Sequence, residues 1–68
     1  MNAKLLKSKM VLFGDTNTTL AAALNISTTR LSAKINETNG AEFNQSEIKI
    51  IKERYDLTND EVILIFFS

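Results

Sequence analysis

The chain has 68 residues, 44% of them hydrophobic, and its eight basic and eight acidic side chains give a formal net charge of zero. A chain of this length forms one domain with a small core. Since it contains neither Cys nor His, disulfides, thiolate or imidazole metal sites and Cys- or His-based catalysis are excluded, and we expect no enzyme activity, cofactor or metal. The longest apolar run, Val62 to Phe67, is too short for a membrane helix, and the first residues do not resemble a secretion signal, which predicts a cytoplasmic protein without a membrane partner.

The charges are divided unevenly between the two halves of the chain. Residues 1–36 carry five basic side chains and one acidic side chain, a net charge of +4, whereas residues 37–68 carry three basic and seven acidic side chains, a net charge of −4. Such a chain can present a basic face to an anionic partner. Ordinary solvated helix surfaces would explain the same distribution.

The first 24 residues predict two helices. Leu6, Met10 and Phe13 recur at i, i+4 and i+7 and predict a helix over residues 3–13, with Asn2 as its N-cap and Gly14 following its end. Asp15 and Thr16 then supply capping oxygens for a second, shorter helix over residues 17–24.

The middle of the chain predicts a third helix followed by a loop. Ser27 is a favourable N-cap for a helix that runs to about Asn36. The segment from Glu37 to Phe43 contains an Asn39-Gly40 pair, which is typical of an exposed turn.

The last third predicts one or two further helices. Asn44 and Glu47 have the spacing of a capping box, and Thr58 and Glu61 repeat it. The segment Val62–Phe67 is ambiguous, because its cap favours a helix while its β-branched and aromatic side chains favour a strand. We expect a short helix, and hence an all-α domain of four to five helices.

Residues 17–36 have the spacing of two helices that cross at a short turn. The small side chain of Ala21 suits the place where such helices approach closely. Asn25 tolerates the positive φ that the turn requires. The side chains expected to fill the wedge between the helices are Leu20, Leu24, Ile26, Leu31 and Ile35.

The outward side of the third helix has an unusual composition. At about 100° per residue, Leu31 and Ile35 point inward and leave a face of small hydroxyls, a methyl group, an amide and a guanidinium, with no acid before Glu37. Such a face fits a DNA major groove, where Ser and Thr bond base edges, a methyl group meets thymine and Arg suits guanine. Two helices packed in a small bundle without nucleic acid would also produce the pattern.

The segments Leu20-Ala21, Leu24-Asn25-Ile26-Ser27 and Leu31-Ser32 resemble the Cro and repressor class of phage helix-turn-helix regulators, the XRE-like proteins. Members of this class usually show Leu-Ala, Leu-Gly-Ile-Ser and a hydrophobic-polar pair there. The specific match covers about twenty residues, and Asn25 and Asn17 stand where the class usually has Gly and Gln. The rest of the chain, especially Phe43–Ile48 and Ile65–Phe67, is similar to small regulators of phages or prophages of Gram-positive bacteria.

The resemblance implies a lambda-repressor-like domain over residues 1–68, with the helix-turn-helix at about 17–36. It implies a repressor or related regulator that binds an operator in double-stranded DNA as a homodimer, in the host bacterial cell if phage-encoded. The implied base contacts are Thr28, Thr29, Ser32, Ala33 and Asn36. The implied phosphate contacts are Asn17, Ser27, Arg30, Lys34 and Asn44, although Asn44 is first of all a helix cap.

The C-terminal segment at about 58–68 predicts a dimer interface. It has more apolar surface than one short helix needs to cover a small core, and unassigned apolar surface often marks an interface. The side chains predicted to form it are Ile63, Leu64, Phe66 and Phe67. Two alternatives stay open: complete burial of the segment within the monomer, and an antirepressor or other interaction module whose tail binds a partner repressor.

Overall fold

The computed structural model describes all 68 residues. It contains five α-helices and one 3-10 turn, and no strand. The helices are α1 (Ala3–Leu12), α2 (Asn17–Leu24), α3 (Thr28–Asn36), α4 (Gln45–Arg54) and α5 (Asn59–Phe66), and the 3-10 turn Thr38–Gly40 follows α3. The all-α prediction is confirmed, and the strand alternative for the C-terminal segment is wrong. None of the five helices is long and apolar enough to cross a membrane.

Side chains that cap the N-termini determine where the helices begin. The Asn2 side chain accepts a hydrogen bond from the backbone N–H of Leu5 at 3.1 Å, and both predicted capping boxes, at the starts of α4 and α5, are formed. Each cap satisfies an N–H group that has no partner within its helix. The helix starts predicted from these residues are therefore confirmed.

The start of α2 differs in one detail from the prediction. The Thr16 hydroxyl accepts from the backbone N–H of Thr19 at 3.3 Å, as a cap does. Asp15 is no backbone cap, because its carboxylate accepts from the Thr19 hydroxyl at 2.8 Å instead. The cap is therefore a Thr-Thr pair in which each side chain bonds the backbone of the other.

The core lies at the centre of the five helices. Its buried hydrophobic residues are Leu6, Met10, Leu20, Ala21, Leu24, Leu31, Ile35, Ile51, Tyr55, Leu57 and Ile65. The predicted inward residues of α2 and α3 are thus buried, except that Ile26 is only partly covered. Phe13 lies just beyond α1, about half exposed, with its ring 5.3 Å from that of Tyr55.

Ion pairs join the basic first half of the chain to its acidic second half. The side-chain pairs are Lys9–Glu61, Lys34–Glu47 and Arg54–Asp15, each with a nitrogen–oxygen distance of 2.6 Å. The N-terminal ammonium of Met1 adds a fourth pair, 3.1 Å from the Glu37 carboxylate. Two of the five cations of residues 1–36 are neutralised in this way. The uneven charge therefore serves the fold in part, and the exposed cations of the first half without an ion pair are Lys4, Lys7 and Arg30.

The connection between α1 and α2 is held against the end of α4 by Asp15. Its carboxylate accepts from Arg54 Nε at 2.6 Å and Nη2 at 2.7 Å, and from the Tyr55 hydroxyl at 2.6 Å. The hydrogen bond from Arg54 holds the pKa of Asp15 well below its usual range, and that from Tyr55 adds to the effect. Burial raises the pKa of Tyr55, as does its bond to Asp15. Asp15 therefore anchors the connection between α1 and α2 to the C-terminal end of α4.

Candidate nucleic-acid interface

The turn between α2 and α3 has the predicted geometry. Asn25 adopts a left-handed conformation with φ 58° and ψ 42°. The next N–H, that of Ile26, bonds the carbonyl of Ala21 at 3.0 Å, which closes the end of α2. Ala21 itself is only 2% exposed, so its small side chain permits the close approach of the two helices. The prediction of a helix-turn-helix over residues 17–36 agrees with this arrangement.

A polar depression lies on the outside of this unit. It is an open concavity of about 520 Å³ whose lining residues are Asn17, Thr28, Thr29, Ser32, Ala33 and Thr38. Four of the five predicted base-contact residues and one predicted phosphate-contact residue therefore lie together. None of the six is charged, so the depression offers hydroxyls, one amide and methyl groups.

The residues of the polar depression differ in accessibility. Thr28 and Thr29 are exposed, whereas Ser32 and Ala33 are partly buried deeper along α3. Asn36, the fifth predicted base contact, is exposed but does not line the depression. Its Nδ2 donates to Ser32 Oγ at 3.4 Å, so its amide is turned back along α3. The Ser32 hydroxyl keeps its own hydrogen for another acceptor.

The predicted phosphate contacts at the start of α3 are open to solvent. Ser27 caps the helix, because its Oγ accepts from the backbone N–H of Arg30 at 3.1 Å. Arg30 is exposed, and its guanidinium takes part in none of the ion pairs of the chain. A helix N-terminus with a free cation one turn away has the electrostatics that favour an anion.

The predicted phosphate contact of Lys34 is wrong. Lys34 is only 7% exposed, and its ammonium lies 2.6 Å from the carboxylate of Glu47, which is itself 5% exposed. A helix of nine residues has several inward positions, and Lys34 lies between Leu31 and Ile35 on that side. Its charge is neutralised inside the protein and does not face a ligand.

The capping box of α4 occupies two of the polar groups that Asn44 could offer to a phosphate. Its Oδ1 accepts from the N–H of Glu47 at 2.8 Å, and its own backbone N–H donates to Glu47 Oε1 at 2.9 Å. Since both groups are occupied by the capping box, the backbone amide of Asn44 is not available to a phosphate. Asn44 is a helix cap.

Sequence reasoning missed Thr38. It follows Glu37, which ends α3 in a left-handed conformation with φ 55°, and the 3-10 turn then brings Thr38 beside the polar depression. Asn39, with φ 53°, continues the reversal of the chain. Only the Asn39-Gly40 pair signalled a turn, and left-handed Glu37 had no signal because a carboxylate side chain of this length seldom adopts it.

The C-terminal helix carries the exposed apolar surface that its sequence predicts. Ile63, Leu64 and Phe67 are 55%, 53% and 67% exposed, so complete burial of the segment within the monomer is wrong. Phe66 differs from the other three predicted interface residues. It is partly buried, with its ring 5.6 Å from that of Phe43 in an edge-to-face arrangement. Phe66 thus packs within its own chain.

Comparisons of the chain with known protein families, with characterised proteins and with solved structures find no match.

Proposed function

We propose that this protein is a transcriptional regulator of the Cro and repressor type that recognises an operator in double-stranded DNA through α3. The observation that carries the proposal is the polar depression, an acid-free, outward-facing group of side chains on a helix-turn-helix unit. An ordinary solvated helix face would bear Glu or Lys at such positions. The first acid after α3, Glu37, lines a different cavity.

The side chains of the polar depression match the chemistry of the major groove. Thr28, Thr29 and Ser32 each have a hydroxyl that both donates to and accepts from base edges, and Ala33 offers a methyl group for thymine. The groove is about 12 Å wide and accepts one α-helix. We therefore assign sequence readout to these four residues.

Affinity for phosphate would come from few charges. Arg30 is the one cation of α2 and α3 without an acidic partner, and Asn17 and Ser27 offer polar groups at helix starts. Two such subunits would neutralise about two phosphates through α3, so the logarithm of the affinity should fall with the logarithm of salt with a slope of about −2. Weak attraction to any DNA and selectivity for one site are compatible with such a shallow slope.

A homodimer completes the proposal. Ile63 and Leu64 of α5, with Phe67 directly after it, form an exposed apolar surface that a second copy would cover. A two-fold dimer would read two half-sites about 34 Å apart, one turn of the double helix. The proposal includes no catalytic step.

The test begins with selection of a preferred duplex by the wild-type chain from a randomised library. Fluorescence anisotropy then compares this duplex with a scrambled one at the same salt concentration. We expect the ratio of the two affinities to be on the order of 1,000 or more. Equal affinity for both duplexes would reject sequence-specific regulation.

A variant links the preference to the polar depression. Ser32→Ala removes one hydroxyl and should relax selectivity at one base pair by about 1–3 kcal/mol. Ser8→Ala is the matched control, because Ser8 is an exposed serine of α1 that does not line the depression. A loss of selectivity in both variants, or in neither, would contradict the assignment of Ser32.

A second candidate function is binding to another protein, as an antirepressor does. It is favoured by exposed Val11 and Leu12 on α1, 78% and 73% exposed, together with the exposed apolar residues of α5. Sedimentation and capture by an immobilised repressor distinguish the two. A monomer that binds the repressor and no DNA would favour this candidate.

A further inference from the structure

The buried ion pair between Lys34 and Glu47 connects α3 to α4. Lys34 Nζ lies 2.6 Å from Glu47 Oε1, and both residues are more than nine-tenths buried. The same Oε1 accepts from the backbone N–H of Asn44 at 2.9 Å, and the Glu47 N–H donates to Asn44 Oδ1. The first turn of α4 therefore holds the Glu47 carboxylate in place independently of its bond to Lys34.

This pair is the one side-chain hydrogen bond from α3 to another helix. The helix otherwise packs chiefly against α2 and the following 3-10 turn, and its buried apolar residues, Leu31 and Ile35, belong to the common core. Apolar burial has no preferred direction, whereas a charge-assisted hydrogen bond fixes both distance and angle. Lys34 and Glu47 therefore add a directional restraint on the rotation of α3 about its own axis, beyond the apolar packing of Leu31 and Ile35.

We propose that Glu47 is a positioning residue which, through Lys34, sets the rotation of α3 and thereby the side chains that α3 presents to DNA. Lys34 follows Ser32 and Ala33 directly, so a rotation at Lys34 displaces both residues of the polar depression. This inference rests on the proposed function for its effect on DNA. Its effect on the orientation of α3 can be measured without any DNA.

If the Lys34–Glu47 pair only stabilised the fold, a double variant that keeps the stability would also keep the orientation of α3. Removing one member of a buried pair leaves an uncompensated charge and destabilises the fold, but replacing both members by groups of similar volume is often neutral or stabilising. In Lys34→Met/Glu47→Gln, Met keeps the buried methylene groups of the lysine, and Gln keeps the capping box with Asn44. We expect this double variant to fold about as stably as the wild type.

The chain offers a matched control. Lys9 and Glu61 join α1 to α5 at the same 2.6 Å distance, and Glu61 also occupies the third position of a capping box. Lys9→Met/Glu61→Gln therefore removes an ion pair of the same length, although a more exposed one, far from α3 along the chain. It should leave the rotation of α3 and the selectivity for DNA unchanged.

Two measurements test the proposal on the full chain. Residual dipolar couplings of backbone amides report the orientation of α3 relative to α1, α4 and α5 in the free protein. Anisotropy titrations give the ratio of affinities for the duplex selected by the wild type and for its scrambled counterpart. For Lys34→Met/Glu47→Gln we expect α3 couplings that no longer fit the wild-type orientation and a ratio at least about tenfold lower. The control should match the wild type in both.

Unchanged α3 couplings together with an unchanged ratio in Lys34→Met/Glu47→Gln would overturn the proposal. If that double variant does not fold, Glu47→Asp decides, because it keeps the charge but shortens the side chain by one methylene. A folded Glu47→Asp protein with wild-type couplings and ratio would equally overturn it. If the wild type prefers no duplex, the proposed function fails, and the couplings alone then decide whether Glu47 positions α3.

Discussion

Asp15 should stabilise this protein more than any other loop carboxylate. Asp15→Asn keeps one acceptor oxygen but loses at least one charge-assisted hydrogen bond to Arg54. It also removes the negative charge from the group that accepts a hydrogen bond from the Tyr55 hydroxyl. Such bonds contribute roughly 1.5–3 kcal/mol each. Since Arg54 is 36% exposed, solvent screening reduces the sum. We expect a loss of about 2–3 kcal/mol, a large part of the roughly 3–10 kcal/mol available to a chain of this length.

The same bonds make the stability depend on pH. Arg54 keeps the pKa of Asp15 below its usual range, so the folded state binds this proton more weakly than the unfolded state. The contribution of Asp15 is complete well above an ordinary carboxyl pKa of about 3.9 and declines as the pH falls below that value toward the folded pKa. For a folded pKa well below 3, linkage gives a decline of at most about 1.3 kcal/mol between pH 7 and pH 3. Solvent screening of the partly exposed guanidinium lowers this limit.

Urea unfolding followed by far-ultraviolet circular dichroism at several pH values measures both effects. The difference in unfolding free energy between wild type and Asp15→Asn isolates Asp15, because every other carboxyl group is common to both proteins. That difference should narrow by about 1 kcal/mol from pH 7 to pH 3. A difference that stays constant over this range would refute the reasoning, as would a variant as stable as the wild type at pH 7.

Three further substitutions test separate parts of the molecule. Arg30→Ala should weaken binding to the selected and scrambled duplexes alike and make the salt slope shallower by about one for each phosphate that the guanidinium neutralises; an unchanged slope would mean that Arg30 does not bind phosphate. Ile63→Ser should weaken self-association in sedimentation equilibrium while changing the unfolding free energy by less than about 0.5 kcal/mol; a variant that dimerises like the wild type would exclude this part of α5 from the interface. Asn25→Ala should lower stability by about 1–2 kcal/mol in thermal unfolding, because Asn25 has a φ of 58°, whereas Asn25→Gly should not; equal destabilisation by both would point to the side chain and not to the backbone.

The helix starts could be predicted because their causes span three residues of sequence. Asn2, Ser27, Asn44 and Thr58 bond a backbone N–H only three positions away, so neither the core nor any distant element is needed to identify them. The turn at Asn25 was predictable for the same reason. Such signals survive in a single sequence because short polar side chains favour caps and turns over helix interiors.

The role of Lys34 could not be predicted because its cause lies thirteen residues away. A helical projection places Lys34 beside the inward residues Leu31 and Ile35, but a lysine at such a border is usually exposed. Its burial depends on Glu47, whose spacing within the sequence already had a sufficient explanation as a capping residue. Glu47 has two partners at once, and the sequence alone indicates only the local one, Asn44. Thr38 was missed similarly, because its place depends on the reversal of the chain after α3.

The three side-chain ion pairs between the halves also bear on how the polypeptide assembles. Cleavage in the exposed turn around Asn39 would yield two fragments of opposite net charge, each holding part of the core and the complementary members of every pair. Opposite charges attract over about one Debye length, so we expect the fragments to recombine with a rate that drops as salt is added. Electrostatic attraction would then guide the halves to each other before the apolar side chains meet.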